Sequence, residues 1–232
     1  MRVYEQRTYR VILFVATIVA IVLSAQPASA DELTFSFDPT NTFSGTAPAG
    51  SLTADFTQVA GGVQLVITSN LGPGENLDPG KALYFNIDPA DTVTDLSFTL
   101  TANTGFSEAA TVMTGEDFFK PDGDGLMDIL FTYSPSTKAF TGGESQTYLI
   151  TSSSDADLSA ADFDFSSTCD TGCGTGGHFA AVHVQNTPNG GSGSAFVGGT
   201  PTPSGVPEPG SMTLLGTGVG LAAVIRRKKP LR

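Results

Sequence analysis

The chain has 232 residues and a formal net charge of −12, the size of one ordinary domain or two small ones. Eight of its 11 basic residues lie at the two ends. Between Asp31 and Val206 only Lys81, Lys120 and Lys138 stand against 21 acidic residues, a net of −18 with no arginine. This excludes a nucleic-acid binder, which needs clustered Lys and Arg, and disfavours phosphate chemistry, which leans on a cationic clamp.

Arg2, Arg7 and Arg10 precede an apolar run from Val11 to Leu23, and Ala28-Ser29-Ala30 follows. Positive start, short apolar core and small residues at a cleavage point predict a signal peptide over residues 1–30, removed by signal peptidase at Ala28 and Ala30. Asp31 is then the first mature residue. The 13-residue run is short of the ~20 residues a membrane span requires.

From residue 31 to 188 the pattern predicts an extracellular β domain. Leu33, Phe35 and Phe37 alternate with Thr34 and Ser36, and Leu52, Ala54 and Phe56 repeat the period of two. Val63, Leu65 and Ile67 follow Gly61-Gly62, so Ser51 to Ser69 reads as a β-hairpin. Further strands are expected at Ala82–Ile87, Val93–Thr101, Leu126–Tyr133, Thr147–Thr151 and Phe179–Val184, with Gly- and Pro-rich turns between them. A short helix is expected around Ser159–Asp162. The fold class is all-β: an antiparallel sandwich or jelly roll of about nine strands.

Three groups of residues in this body have chemistry to consider. Asp122, Asp124 and Asp128 surround Gly123 and Gly125, a spacing of oxygen ligands that suits Ca²⁺. Against an EF-hand loop, Lys120 and Phe131 fall where the end ligands belong, so that reading fails. What remains open is a different Ca²⁺ loop, with Glu116 and Asp117 nearby, or an acidic hairpin turn alone. Cys169 and Cys173 are the only cysteines, and in an oxidising compartment they are expected to form a disulfide. His178 and His183 lie close by, but residues five apart on a strand point to opposite faces, which argues against a zinc site. No Gly-x-Ser-x-Gly elbow accompanies them. Sugar-binding aromatic faces are scarce: Trp is absent, and only Tyr84, Tyr133 and Tyr148 lie in the body.

Residues 189–206 are rich in Gly, Ser, Pro and Thr and read as a flexible stalk. Residues 207–232 have three parts: Pro207-Glu208-Pro209, an apolar helix over 212–225, and a basic tail over 226–232 with Arg226, Arg227, Lys228 and Lys229. Fourteen helical residues reach roughly 21 Å, marginal against a hydrocarbon core of ~30 Å. The basic cluster holds its end in the cytoplasm. This order resembles the PEP-CTERM sorting signal. The resemblance implies recognition by an exosortase-type enzyme, processing at Pro207-Glu208-Pro209, and a Gram-negative host that makes exopolysaccharide.

Together these features predict an exported, non-enzymatic protein of the cell surface or exopolysaccharide matrix. It is tethered to the cytoplasmic membrane transiently through its tail and needs no cofactor. The alternatives are an adhesive module binding polysaccharide or Ca²⁺, and a secreted hydrolase acting through paired carboxylates.

Overall fold

The computed structural model describes residues 31–134, 140–169, 177–188 and 193–203. They fall within one compact unit, Ala30–Ser204. The strands are β1 (Glu32–Phe37), β2 (Thr42–Gly45), β3 (Ser51–Val59), β4 (Gly62–Asn70), β5 (Asn76–Leu77), β6 (Leu83–Phe85), β7 (Leu96–Thr104), β8 (Thr111–Phe119), β9 (Met127–Thr132), β10 (Ser145–Ser152), β11 (Ala180–Thr187) and β12 (Gly193–Pro203). Every pairing is antiparallel. The strands run in the order β7-β10-β4-β3-β1-β12-β11-β6-β9-β8, with β2 added on β12 and β5 on β11.

The path has two halves joined by β12. Its Gly193–Gly199 segment pairs with β11, and its Thr200–Pro203 segment pairs with β1. In the half built on β1, β3, β4, β7 and β10, long strands alternate cleanly between buried and part-exposed residues. The β3–β4 hairpin closes through Ala60-Gly61, with Val59 opposite Gly62 and Gly61 at φ +88°, a conformation glycine adopts without a Cβ penalty. Outward residues in register form one hydroxyl row across six strands: Thr200, Ser36, Thr53, Thr68, Ser145 and Thr104. Thr and Ser facing one another suit a solvated pleated face.

The inner faces of the two halves meet in a phenylalanine core. Phe85 of β6 lies 6.1 Å from Phe35 of β1 and 5.3 Å from Phe56 of β3. Phe131 of β9 lies 5.5 Å from Phe98 of β7 and 5.4 Å from Tyr148 of β10. These rings meet at 43–84°, in the tilted to edge-on range that aromatic quadrupoles favour. In the second half β6 and β9 are buried on both sides. Leu83-Tyr84-Phe85 is buried throughout, as is Met127–Phe131. Their outer side carries a separate apolar cluster of Tyr84, Phe119, Met127, Leu130, Ala181 and Phe196, with Phe43 of β2 against it.

The all-β antiparallel expectation holds, with twelve strands among the described residues instead of about nine. The hairpin, β1, β9, β10 and β11 lie where the period of two places them. Val93–Asp95 is a 3-10 turn, so β7 begins at Leu96. The expected short helix is a 3-10 turn, Ala160–Phe163, entered through a reciprocal Ser159–Asp162 capping box.

The stalk expectation is corrected over residues 193–203, which form β12. Glycine composition there reflects close packing. A Cβ on Gly198 would sit 2.4 Å from His178 Nδ1, and one on Gly199 2.9 Å from the Phe37 ring. Pro201 and Pro203 fall where β12 has passed beyond β11 and needs a partner on one side only. No helix among the described residues is long and apolar enough to cross a membrane. The expected signal peptide and C-terminal helix lie outside the described residues.

Candidate functional site

Asp122 and Asp124, in the β8–β9 connection, and Asp128, in β9, each have separate partners. Asp122 is exposed and accepts a hydrogen bond from Ser44 Oγ at 3.2 Å. Asp124 is fully buried; it accepts from Ser167 Oγ at 3.0 Å and from the His178 N–H at 3.3 Å. Asp128 accepts the Asp117 N–H on Oδ1 at 2.8 Å and the Ile87 N–H on Oδ2 at 3.1 Å. Each carboxylate has partners of its own: a hydroxyl for Asp122, a hydroxyl and a backbone N–H for Asp124, and two backbone N–H groups for Asp128. The expected Ca²⁺ ligands therefore stand apart in this structure, where Asp124 and Asp128 fasten loops over the sheet. Burial raises the pKa of Asp128. The two N–H donors oppose that rise, and the charges of Asp117 and Glu116 add to it.

A different trio comes together. One carboxylate oxygen each from Asp91, Asp155 and Asp162 lies within 4.8 Å of the others, all three residues half-buried. Asp91 comes from the β6–β7 connection, Asp155 from the loop after β10, and Asp162 from the Ala160–Phe163 turn. Burial, then the charges of Asp162, Asp155 and Asp88, raise the pKa of Asp91. Like charges this close are relieved by a proton or a hard cation, and this is the set of oxygen donors that suits one. A cavity of about 120 Å³ adjoins it, lined by Asp88, Asp91, Glu116, Asp117 and Asp128 among others. Sequence reasoning missed this trio, because residues so far apart in the chain carry no spacing signal.

Both histidines stack on phenylalanine. His183 lies over Phe196 at 4.1 Å and 5°, and His178 over Phe43 at 4.5 Å and 20°. Phe43 and Phe196 are 6.0 Å apart, so four rings form a ladder with a histidine at each end. His183 Nδ1 is 2.9 Å from Asp78 Oδ2, at ion-pair distance but off the line of a hydrogen bond. Burial lowers the His183 pKa, and Asp78 partly restores it. Cys169 is disulfide-bonded; Cys173, the only other cysteine, lies outside the described residues.

Ala28, Ala30, Pro207, Glu208, Pro209, Arg226, Arg227, Lys228 and Lys229 also lie outside the described residues. Their assignment rests on sequence. Residues 205–229 match the PEP-CTERM protein-sorting motif. The chain carries a PEP-CTERM sorting signal. That signal makes it an exported protein sorted by an exosortase-type enzyme, with the match spanning the Pro-Glu-Pro, the apolar segment and the basic cluster. Neither the curated proteins nor the solved structures yield a match to the chain.

Proposed function

We propose that this is a non-enzymatic protein of the cell surface or exopolysaccharide matrix, whose β body, read as a sandwich, is delivered there by its PEP-CTERM tail. The carrying observation is the motif match over 205–229. Signal peptidase removes residues 1–30. Pro207 and Pro209 hold the chain extended and out of the following helix, which leaves an accessible strand for the sorting enzyme. Arg226 to Lys229 resist translocation and set the orientation. The short, glycine-bearing apolar segment serves as a temporary stop. A non-enzymatic role is supported by the use of polar groups in the body: Asp124 and Asp128 hold backbone and a hydroxyl, and both histidines are stacked on rings.

The test is a double-tagged protein in a host that has an exosortase, with one tag after Asp31 and one after Arg232. The two tags should separate during export, and Glu208→Ala should keep them together. Both tags on a single full-length wild-type polypeptide would turn the tail into a simple anchor.

A further inference from the structure

We propose that the open pocket at the His183 end of the ring ladder binds the carboxylate of an acidic sugar, a uronate residue of a polysaccharide. The pocket has a volume of about 470 Å³ and is lined by Lys81, Lys120, Asp122, His183, Ser194 and Phe196, among others. That volume is in the range of small-ligand sites.

Charge distribution carries the argument. The body has three lysines, no arginine and 21 acidic residues. The two lysines among the described residues, Lys81 and Lys120, both line this one pocket. Neither Lys81 nor Lys120 is in an ion pair among the described residues. In a molecule so rich in carboxylates, two unpaired ammonium groups on one concavity are complementary to an anion from outside.

The rest of the lining selects a sugar over a bare anion. The stacked His183–Phe196 pair gives an apolar wall for the C–H face of a pyranose ring. Ser194 is exposed and offers a hydroxyl that both donates and accepts. Asp122, steadied by Ser44, accepts hydrogen bonds from sugar hydroxyls. The three tyrosines of the body are buried and none of them lines this pocket, whereas His183 and Phe196 do. The Asp122–Gly125 turn then acts as a wall of the pocket: Gly123, at φ +90°, packs against Phe43 and Ser44. Solvent-exposed ion pairs are individually weak, so a single sugar binds weakly and a polymer gains through repeated engagement.

The test uses the exported protein purified from its host, with trigalacturonate, maltotriose and inorganic phosphate as probes in ligand-observed NMR and calorimetry. Trigalacturonate should bind and maltotriose should not. The double variant Lys81→Gln/Lys120→Gln should weaken trigalacturonate binding by about tenfold or more with its melting temperature unchanged, and Lys81→Arg/Lys120→Arg should restore it. Equal binding of maltotriose, loss of nothing in the Gln variant, or full displacement by phosphate at matched concentration would each overturn the proposal. So would the absence of trigalacturonate binding at concentrations on the order of 50 mM. None of these outcomes touches the sorting reading, which the tag experiment tests separately.

Discussion

The half of the sheet built on β1, β3, β4, β7 and β10 differs from the half built on β6, β9 and β11 in what covers its outer face. Water covers the first, so its strands alternate and its outward residues form a hydroxyl row. Loops and β2 cover the second, so β6 and the Met127–Phe131 stretch of β9 are buried on both sides. The covered half is also where the unusual chemistry lies. Fastening loops over a sheet brings together polar groups that are distant in sequence, such as Asp124 with Ser167 and His178. The lesson is that a solvated face repeats a simple rule along each strand, whereas a covered face concentrates specific contacts that no strand contains by itself.

The largest effect is expected where the halves are stitched. Glu75 is buried and accepts N–H groups from Ala49 at 2.6 Å, Gly50 at 3.1 Å and Gly72 at 2.7 Å. It thereby ties the β2–β3 connection to the β4–β5 connection. Glu75→Ala removes the charged acceptor of three part-buried N–H groups, and hydrogen bonds to charged groups contribute ~1.5–3 kcal/mol each. A loss of about 3 kcal/mol or more is expected in urea unfolding, and a loss below about 1 kcal/mol would show the loops rewetting without cost.

Next comes a direct contrast between the two faces. Gly199→Ala places a methyl 2.9 Å from the Phe37 ring and 3.0 Å from Ala180 Cβ, and overpacking of this kind costs roughly 1–3 kcal/mol. Ser36→Ala or Thr147→Ala, on the solvated face, should stay within about 0.5 kcal/mol. Equal costs at the two sites would erase the distinction.

A smaller effect follows acidification. His183 faces Asp78, Lys81 and Asp122, and its pKa is lowered by burial. The folded state therefore favours the neutral ring. The stabilising contribution is complete above the unfolded value of about 6.5 and is lost as pH falls through the lower folded value. Thermal melts from pH 7.5 downward should show this loss, and His183→Asn should flatten it while costing roughly 0.5–1.5 kcal/mol of stacking at neutral pH.

The smallest concerns the acidic trio. The Asp91 pKa is raised, so its charged form opposes folding at neutral pH. Stability is gained as pH falls through the raised value toward the ordinary 3.8. Asp91→Asn should stabilise the protein at pH 7 by a few tenths of a kcal/mol, given solvent screening, and remove that acid-side gain. A destabilised Asn variant would mean that the carboxylate makes a favourable contact.

What could be read from the chain follows the same division. Strands β1, β3, β4 and β10 were legible because burial on one side imposes a period of two on local sequence. The turn at Gly61 was legible because backbone sterics mark it. The sorting signal was legible for a related reason: membrane partition and charge act on a contiguous segment. β2 and β5 were too short to show a period. β8 is irregular, with a register shift between Thr114 and Phe119. The glycines and prolines of β12 looked like linker composition until Phe37, Ala180 and His178 were packed against them. Asp122, Asp124 and Asp128 have ligand-like spacing along the chain, yet each turns to a separate partner. Asp91, Asp155 and Asp162 have no such spacing and converge. Local sequence determines backbone periodicity, turn geometry and membrane address because those depend on neighbouring residues. Only the tertiary structure decides which carboxylate meets which donor, because that depends on register between strands and on loops brought together across the sheet.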